Sequence, residues 1–178
     1  GGSVEISSGN SDTSSSGRVV IKSSRMESGK SGEVHIHSCS SSNAESGNLW
    51  LQTGSAEQSD GGHIIVSGGS GTGGNFDVRA GSSKITGGRI DIQSGLGATS
   101  GKIRVSSASS DDASAAGSVL LQSGESPLGH SGEINISSGE SSRGGDINLN
   151  VGKSLSDVGG SINVKSGGSS FGSGGSLR

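Results

Sequence analysis

The amino-acid sequence predicts an all-β protein, a parallel β-solenoid (β-helix) of about twelve short coils. Three observations lead to this fold class. A glycine recurs along the whole chain at intervals of 12 to 16 residues. Two large apolar residues follow each of these glycines at fixed distances. The segments that join one repeat to the next are too long for tight hairpin turns.

The recurring glycines divide the 178 residues into a single repeat array over positions 1–178, with no second domain. We call them start glycines, because each stands two residues before an apolar position. They are Gly2, Gly17, Gly32, Gly47, Gly62, Gly74, Gly88, Gly101, Gly117, Gly132, Gly145, Gly160 and Gly175. Since the chain repeats one short motif throughout, a repeat architecture is expected in place of a conventional globular domain.

An apolar pair lies two and four residues after each start glycine, as in Ile134 and Ile136 after Gly132. Every such position in the twelve complete repeats holds Val, Ile, Leu or Phe. A spacing of two places both side chains on one face of a β-strand, and β-branched residues favour strands. The pair is therefore predicted to point inward, followed two residues later by a third inward position that usually holds Ser, Thr or Ala.

The segments that follow each strand are rich in Ser and Gly and hold all the variation in repeat length. An antiparallel meander would need turns of about two to five residues, and these segments are longer. Every repeat also reads in the same order, which indicates that every strand runs in the same direction. Each coil is thus expected to consist of one short strand and one Ser/Gly-rich return segment.

Composition excludes several classes of function. The chain has 36 glycines and still more serines, only 2% aromatic residues and a net charge of -3. It has no run of basic residues and no aromatic platform for bases, so no nucleic-acid partner is expected. No apolar stretch is long enough to span a membrane. The single cysteine, Cys39, cannot form an internal disulfide.

No pattern of catalytic, cofactor-binding or metal-binding residues stands out, so the chain is predicted to be no enzyme and to need no cofactor. His35 and His37 share a face at strand spacing, but His63 is too distant in the sequence to complete a metal cluster with them. Asp111 and Asp112 form an acidic corner that is best explained as a solvated turn.

The residues between the two members of each apolar pair are predicted to point outward and to stack from coil to coil. Two groups among them are candidate sites. An apolar and aromatic group is a candidate lateral contact with another chain or a glycan, and it consists of Val20, His35, Trp50 and Ile65. A group of asparagines is a candidate amide ladder, and it consists of Asn135, Asn148 and Asn163.

Asn135 is also a candidate for N-glycosylation, because Asn135-Ile136-Ser137 has the acceptor pattern Asn-x-Ser. An outward position on a strand would leave the amide accessible. The Ser-rich return segments are in turn plausible carriers of O-linked glycans. Both modifications require a secretory route.

Repeats such as Gly160-Ser161-Ile162-Asn163-Val164-Lys165-Ser166-Gly167 resemble the Ser/Gly-rich arrays of extracellular proteins in algae and related protists. They are also similar to the short-coil solenoid regions of microbial surface fibres and adhesins. The resemblance covers the whole chain. It implies a secreted or surface-exposed structural role, and it identifies no functional residue in this chain.

The sequence therefore favours a non-enzymatic structural protein of an extracellular fibre, filament or surface coat, whose main partner is a further copy of itself. The alternative is a binding module, either an ice-binding or an adhesin-type solenoid that contacts glycans. A remote alternative is a carbohydrate-active solenoid, in which Asp77 and Asp91 would stand about 5 Å apart as neighbours in the stack.

Overall fold

The structure is a computed structural model that describes residues 2–111, 114–155 and 158–178. In these ranges the chain forms neither a helix nor a β-strand. It divides into two compact units, Gly1–Ile90 and Asp91–Arg178. The prediction of an all-β parallel β-solenoid is therefore wrong for the single chain.

The two inward apolar side chains of each predicted coil provide the physical reason for this outcome. A stacked coil gains stability when those side chains pack against an opposite wall, but the return segments offer mainly Ser and Gly. Little apolar surface is then available to offset the entropy lost when about fifteen residues per coil are ordered. In agreement, no residue in the described part of the chain is buried.

What the structure does form is a local closure at every repeat. The residue six positions after a start glycine lies against the start glycine of the next repeat, and we call this contact a clasp. In the first clasp the hydroxyl of Ser8 donates to the carbonyl oxygen of Gly17 over 2.8 Å. The amide of Gly17 donates in turn to the carbonyl oxygen of Gly9, also over 2.8 Å. The return segment between Ser8 and Gly17 thus becomes a loop with a closed neck, and backbone bonds of the same kind close the loops before Gly62, Gly74, Gly88, Gly101, Gly117 and Gly175.

The same contact recurs from Gly17 to Gly175. A Cβ atom built on a start glycine would lie between 2.8 and 3.8 Å from an atom of the preceding clasp residue, or of the glycine beside it in the case of Gly74. Of the seven described residues that are not fully exposed, five are clasp residues, namely Ser23, Thr53, Ser94, Ser123 and Ser166, and the other two are Ser110 and Ser154. The clasps are therefore where the chain packs most densely.

Close approach, and not an unusual backbone conformation, explains the start glycines at which an added Cβ would lie within 3.3 Å of another atom, namely Gly17, Gly62, Gly74, Gly88, Gly101, Gly117 and Gly160. Positive φ angles occur at Gly29, Gly71 and Gly73, which lie inside return segments. The division of the chain into repeats stays a prediction from the sequence. The tight clasps give it a physical rationale at those positions, because a side chain there would press against the residues that close the loop.

The clasp between Thr53 and Gly62 provides a direct test. A Cβ atom at Gly62 would lie 2.9 Å from Cβ of Thr53, a separation that forces one of them to move. We expect Gly62→Ala to open this clasp, because it would displace both the 3.0 Å bond from the Thr53 hydroxyl to the Gly62 carbonyl and the 3.1 Å bond from the Gly62 amide to Gly54. Nuclear Overhauser contacts between positions 53 and 62 should disappear.

Gly54→Ala is the matched control. A Cβ atom there would meet nothing within 4 Å, and the carbonyl oxygen that accepts the bond is retained. The contacts between positions 53 and 62 should persist in that variant. Their persistence in Gly62→Ala as well would show that close packing does not select glycine at the start positions.

Candidate assembly surface

The apolar pairs, predicted to lie inside a coil, are exposed. Ile134 and Ile136 keep 46% and 69% of their surface accessible, and the other pairs have comparable or greater values. In most repeats the first member of the pair is less exposed than the second. The chain therefore presents the same apolar motif to solvent in one repeat after another.

The short segment between a start glycine and its clasp residue has two chemically distinct sides. Nε2 of His35 lies 2.8 Å from Oε2 of Glu33, and Nη2 of Arg79 lies 3.3 Å from Oδ2 of Asp77. Both pairs join residues two positions apart, which would not face each other on a helix. At these positions the side chains alternate, with polar residues on one side and the apolar pair on the other.

Backbone groups add to the character of this surface. The peptide groups of Ile134 and Ile136 make no hydrogen bond to any residue that the structure describes. They are thus available, beside the apolar side chains, for pairing with another extended chain. We call the exposed apolar pair together with its backbone groups the apolar segment of a repeat.

The candidate lateral contact consists of exposed residues in the structure. Trp50 and Ile65 keep 81% and 85% of their surface accessible, and Val20 and His35 are exposed as well. The stacking that was expected to gather these four side chains into one patch is not formed in residues 2–111, 114–155 and 158–178. Their role as a lateral contact stays a prediction.

The three asparagines of the proposed ladder, Asn135, Asn148 and Asn163, are exposed too. Their ladder depended on coils stacked within one chain, so it loses that structural basis together with the solenoid. N-glycosylation at Asn135 is a separate matter, since it needs an accessible amide and not a stack. It stays a prediction from the sequence.

The structure gathers no larger set of chemically active groups. Within the described residues, no three His, Cys, Asp or Glu side chains are placed to hold one metal ion. Asp77, half of the carboxylate pair considered for carbohydrate chemistry, has its carboxylate bonded to Arg79. Of the acidic corner, Asp112 lies outside the described residues. No helix in the described part is long and apolar enough to cross a membrane.

Sequence analysis missed one feature of this surface, the contact between Glu33 and His35. The signal was present, because an acidic residue stands two positions before a basic or imidazole residue both in Glu33/His35, one and three positions after Gly32, and in Asp77/Arg79, three and five positions after Gly74. On an alternating backbone that spacing brings the two side chains to one side.

No family model matches the chain, and neither a curated protein nor a solved structure is significantly similar to it.

Proposed function

We propose that the chain is a non-enzymatic structural protein of an extracellular fibre or surface coat, and that it assembles with further copies of itself through its apolar segments. The observation that carries this proposal is the exposure of the apolar pair in one repeat after another. A single exposed Ile or Val needs no explanation. Regularly spaced exposed pairs, each beside free backbone groups, favour a surface that is covered by a partner.

The exposed area supports a large interface. The chain has 18569 Å² of accessible surface, whereas a compact folded protein of the same mass exposes about 7,800 Å². The excess is several times the roughly 1,200 to 2,000 Å² that a specific protein–protein interface buries. Assembly could therefore remove from water the apolar surface that the single chain leaves exposed.

Three properties favour a second copy as the partner. Each apolar segment combines exposed Val, Ile, Leu or Phe side chains with backbone groups that bond to no residue the structure describes, and that combination pairs best with a segment of the same kind. The net charge of -3 over 178 residues causes little repulsion between copies. Finally, charges on the polar side are already balanced within single segments, as in Asp77 and Arg79.

The proposal is tested by following assembly with the single tryptophan. Trp50 is exposed in the single chain, so its fluorescence should resemble that of a solvated indole at low concentration. As the concentration rises from about micromolar to millimolar, we expect sedimentation velocity to report growing species and electron microscopy to show filaments or sheets. Emission from Trp50 should shift to shorter wavelength if its segment lies in the contact.

A chain that remains a monomer over that whole range would contradict self-assembly. Compact particles of uniform size in the electron microscope would contradict a fibre or coat, and would favour a binding module in its place. Pull-down with immobilised glycans would then identify an adhesin-type activity, and thermal hysteresis would identify ice binding.

A further inference from the structure

We propose that His35 and His37 form a surface binding site for a divalent transition-metal ion of the kind that imidazole binds well, such as Cu²⁺ or Zn²⁺. The site depends on the contact between His35 and the carboxylate of Glu33, and a single chain holds all of its residues.

The Glu33 carboxylate determines which nitrogen of His35 is available to a metal ion. Nε2 of His35 lies 2.8 Å from Oε2 of Glu33. An ionised carboxylate only accepts hydrogen bonds, so Nε2 carries the proton and donates it. In the neutral ring, Nδ1 then holds the free lone pair. Metal-ligating histidines typically donate one ring N–H to a carboxylate in this way and bind the ion through the other nitrogen.

The side chain of His37 continues the same side of the backbone. The contact between Glu33 and His35 indicates that residues two apart share a side in this segment, and His37 is the next residue in that series. Its Cα atom is expected about 6.6 Å from that of His35. Metal–nitrogen bonds are about 2.0 to 2.1 Å long, so two imidazoles that lean toward each other can reach one ion. Water would fill the remaining coordination positions.

His37 is available for this role. It is exposed, and it makes no hydrogen bond to any residue within the described ranges. Cys39 is an exposed free thiol on the next position of the same side, but about 13 Å of extended chain separates it from His35. The site is therefore assigned to the two histidines, in keeping with the absence of a three-ligand group from the described part of the chain.

The chain contains two further histidines that lack this arrangement. His63 stands two residues before Ile65, and His130 stands two residues before Gly132. Neither has a second imidazole on the same side of its segment. They serve as internal references, because a lone exposed histidine binds a metal ion through one bond and gains nothing from a second ligand.

The test is a titration of the full chain with Cu²⁺, at a concentration where sedimentation shows a single chain. Paramagnetic Cu²⁺ broadens the nuclear magnetic resonance lines of nearby protons. We expect the ring protons of His35 and His37 to broaden together at less than one equivalent, and those of His63 and His130 to broaden only at higher ratios.

Affinity is then measured with Zn²⁺ in competition with a chromophoric chelator. His35→Gln and His37→Gln should each weaken binding by at least about tenfold, and Glu33→Gln by up to about tenfold through loss of the orienting bond. His63→Gln is the matched control and should bind as tightly as the unchanged chain. Cys39→Ser should also leave binding unchanged.

Simultaneous broadening of all four histidines would overturn the assignment, and so would equal affinities for His35→Gln and His63→Gln. Loss of binding in Cys39→Ser would move the site to the thiol and overturn it too. Because every measurement is made on the single chain, the outcome does not depend on whether the chain assembles.

Discussion

A dilute solution of the chain is expected to show no cooperative unfolding transition on heating. Cooperative transitions and their heat-capacity step arise from apolar surface that unfolding brings into contact with water. In residues 2–111, 114–155 and 158–178 no residue is buried, so that surface is already in water. Differential scanning calorimetry should give a nearly linear trace, in contrast to an ordinary domain of this length.

Amide hydrogen exchange tests the same expectation for each residue separately. We expect most amides to exchange close to the rate of an unstructured peptide, with modest protection at the clasps. The Gly17 and Gly88 amides, which each donate to a carbonyl oxygen over 2.8 Å, should exchange more slowly than the amides of Ile134 and Ile136.

In the calorimeter, an ordinary folded chain of 178 residues would add about 2 to 2.7 kcal/mol/K of heat capacity on unfolding. A step of that size would mean that the single chain buries a core.

The assembled protein is the control for this expectation. If assembly covers the apolar segments, then the same protein above its assembly threshold should gain both a thermal transition and protected amides at positions such as Ile134. The contrast between the two states would locate the stability of this protein between chains and not within one chain.

The order and spacing of residue types within a repeat could be predicted from the sequence, but the arrangement of the repeats in space could not. Local features follow from residue spacing. The i and i+2 contacts of Glu33 with His35 and of Asp77 with Arg79 have the alternation expected from polar and apolar residues taking turns. A position that admits only glycine, such as Gly62 beside Thr53, likewise signals a close approach.

Stacking could not be deduced in the same way, because it depends on the balance of burial against ordering over a whole coil. The apolar pair Ile134/Ile136 looks the same in the sequence whether its cover is another part of the chain or another molecule. Exposure of the two residues at 46% and 69% decides against cover within the chain. The predicted lateral contact around Trp50 depended on the same stacking, so the sequence alone could not establish it either.

Replacing one apolar pair is expected to weaken assembly strongly. In Ile134→Ser/Ile136→Ser the chain loses two side chains that would each contribute about 1.5 to 3 kcal/mol when fully covered. Ile134 and Ile136 expose 46% and 69% of their surface before assembly, and about 1.4 kcal/mol corresponds to a tenfold change in an equilibrium constant, so the concentration needed for assembly should rise by at least about tenfold. Sedimentation and light scattering over a dilution series would measure it.

The opposite side of the same segment supplies the control. Glu133→Ser/Asn135→Ser introduces the same number of serines one position earlier in each case and leaves both isoleucines in place. That variant should assemble at nearly the concentration of the unchanged chain. Equal weakening in both variants would mean that the contact does not distinguish the two sides of the segment, and the apolar pair would then not be the surface through which copies recognise each other.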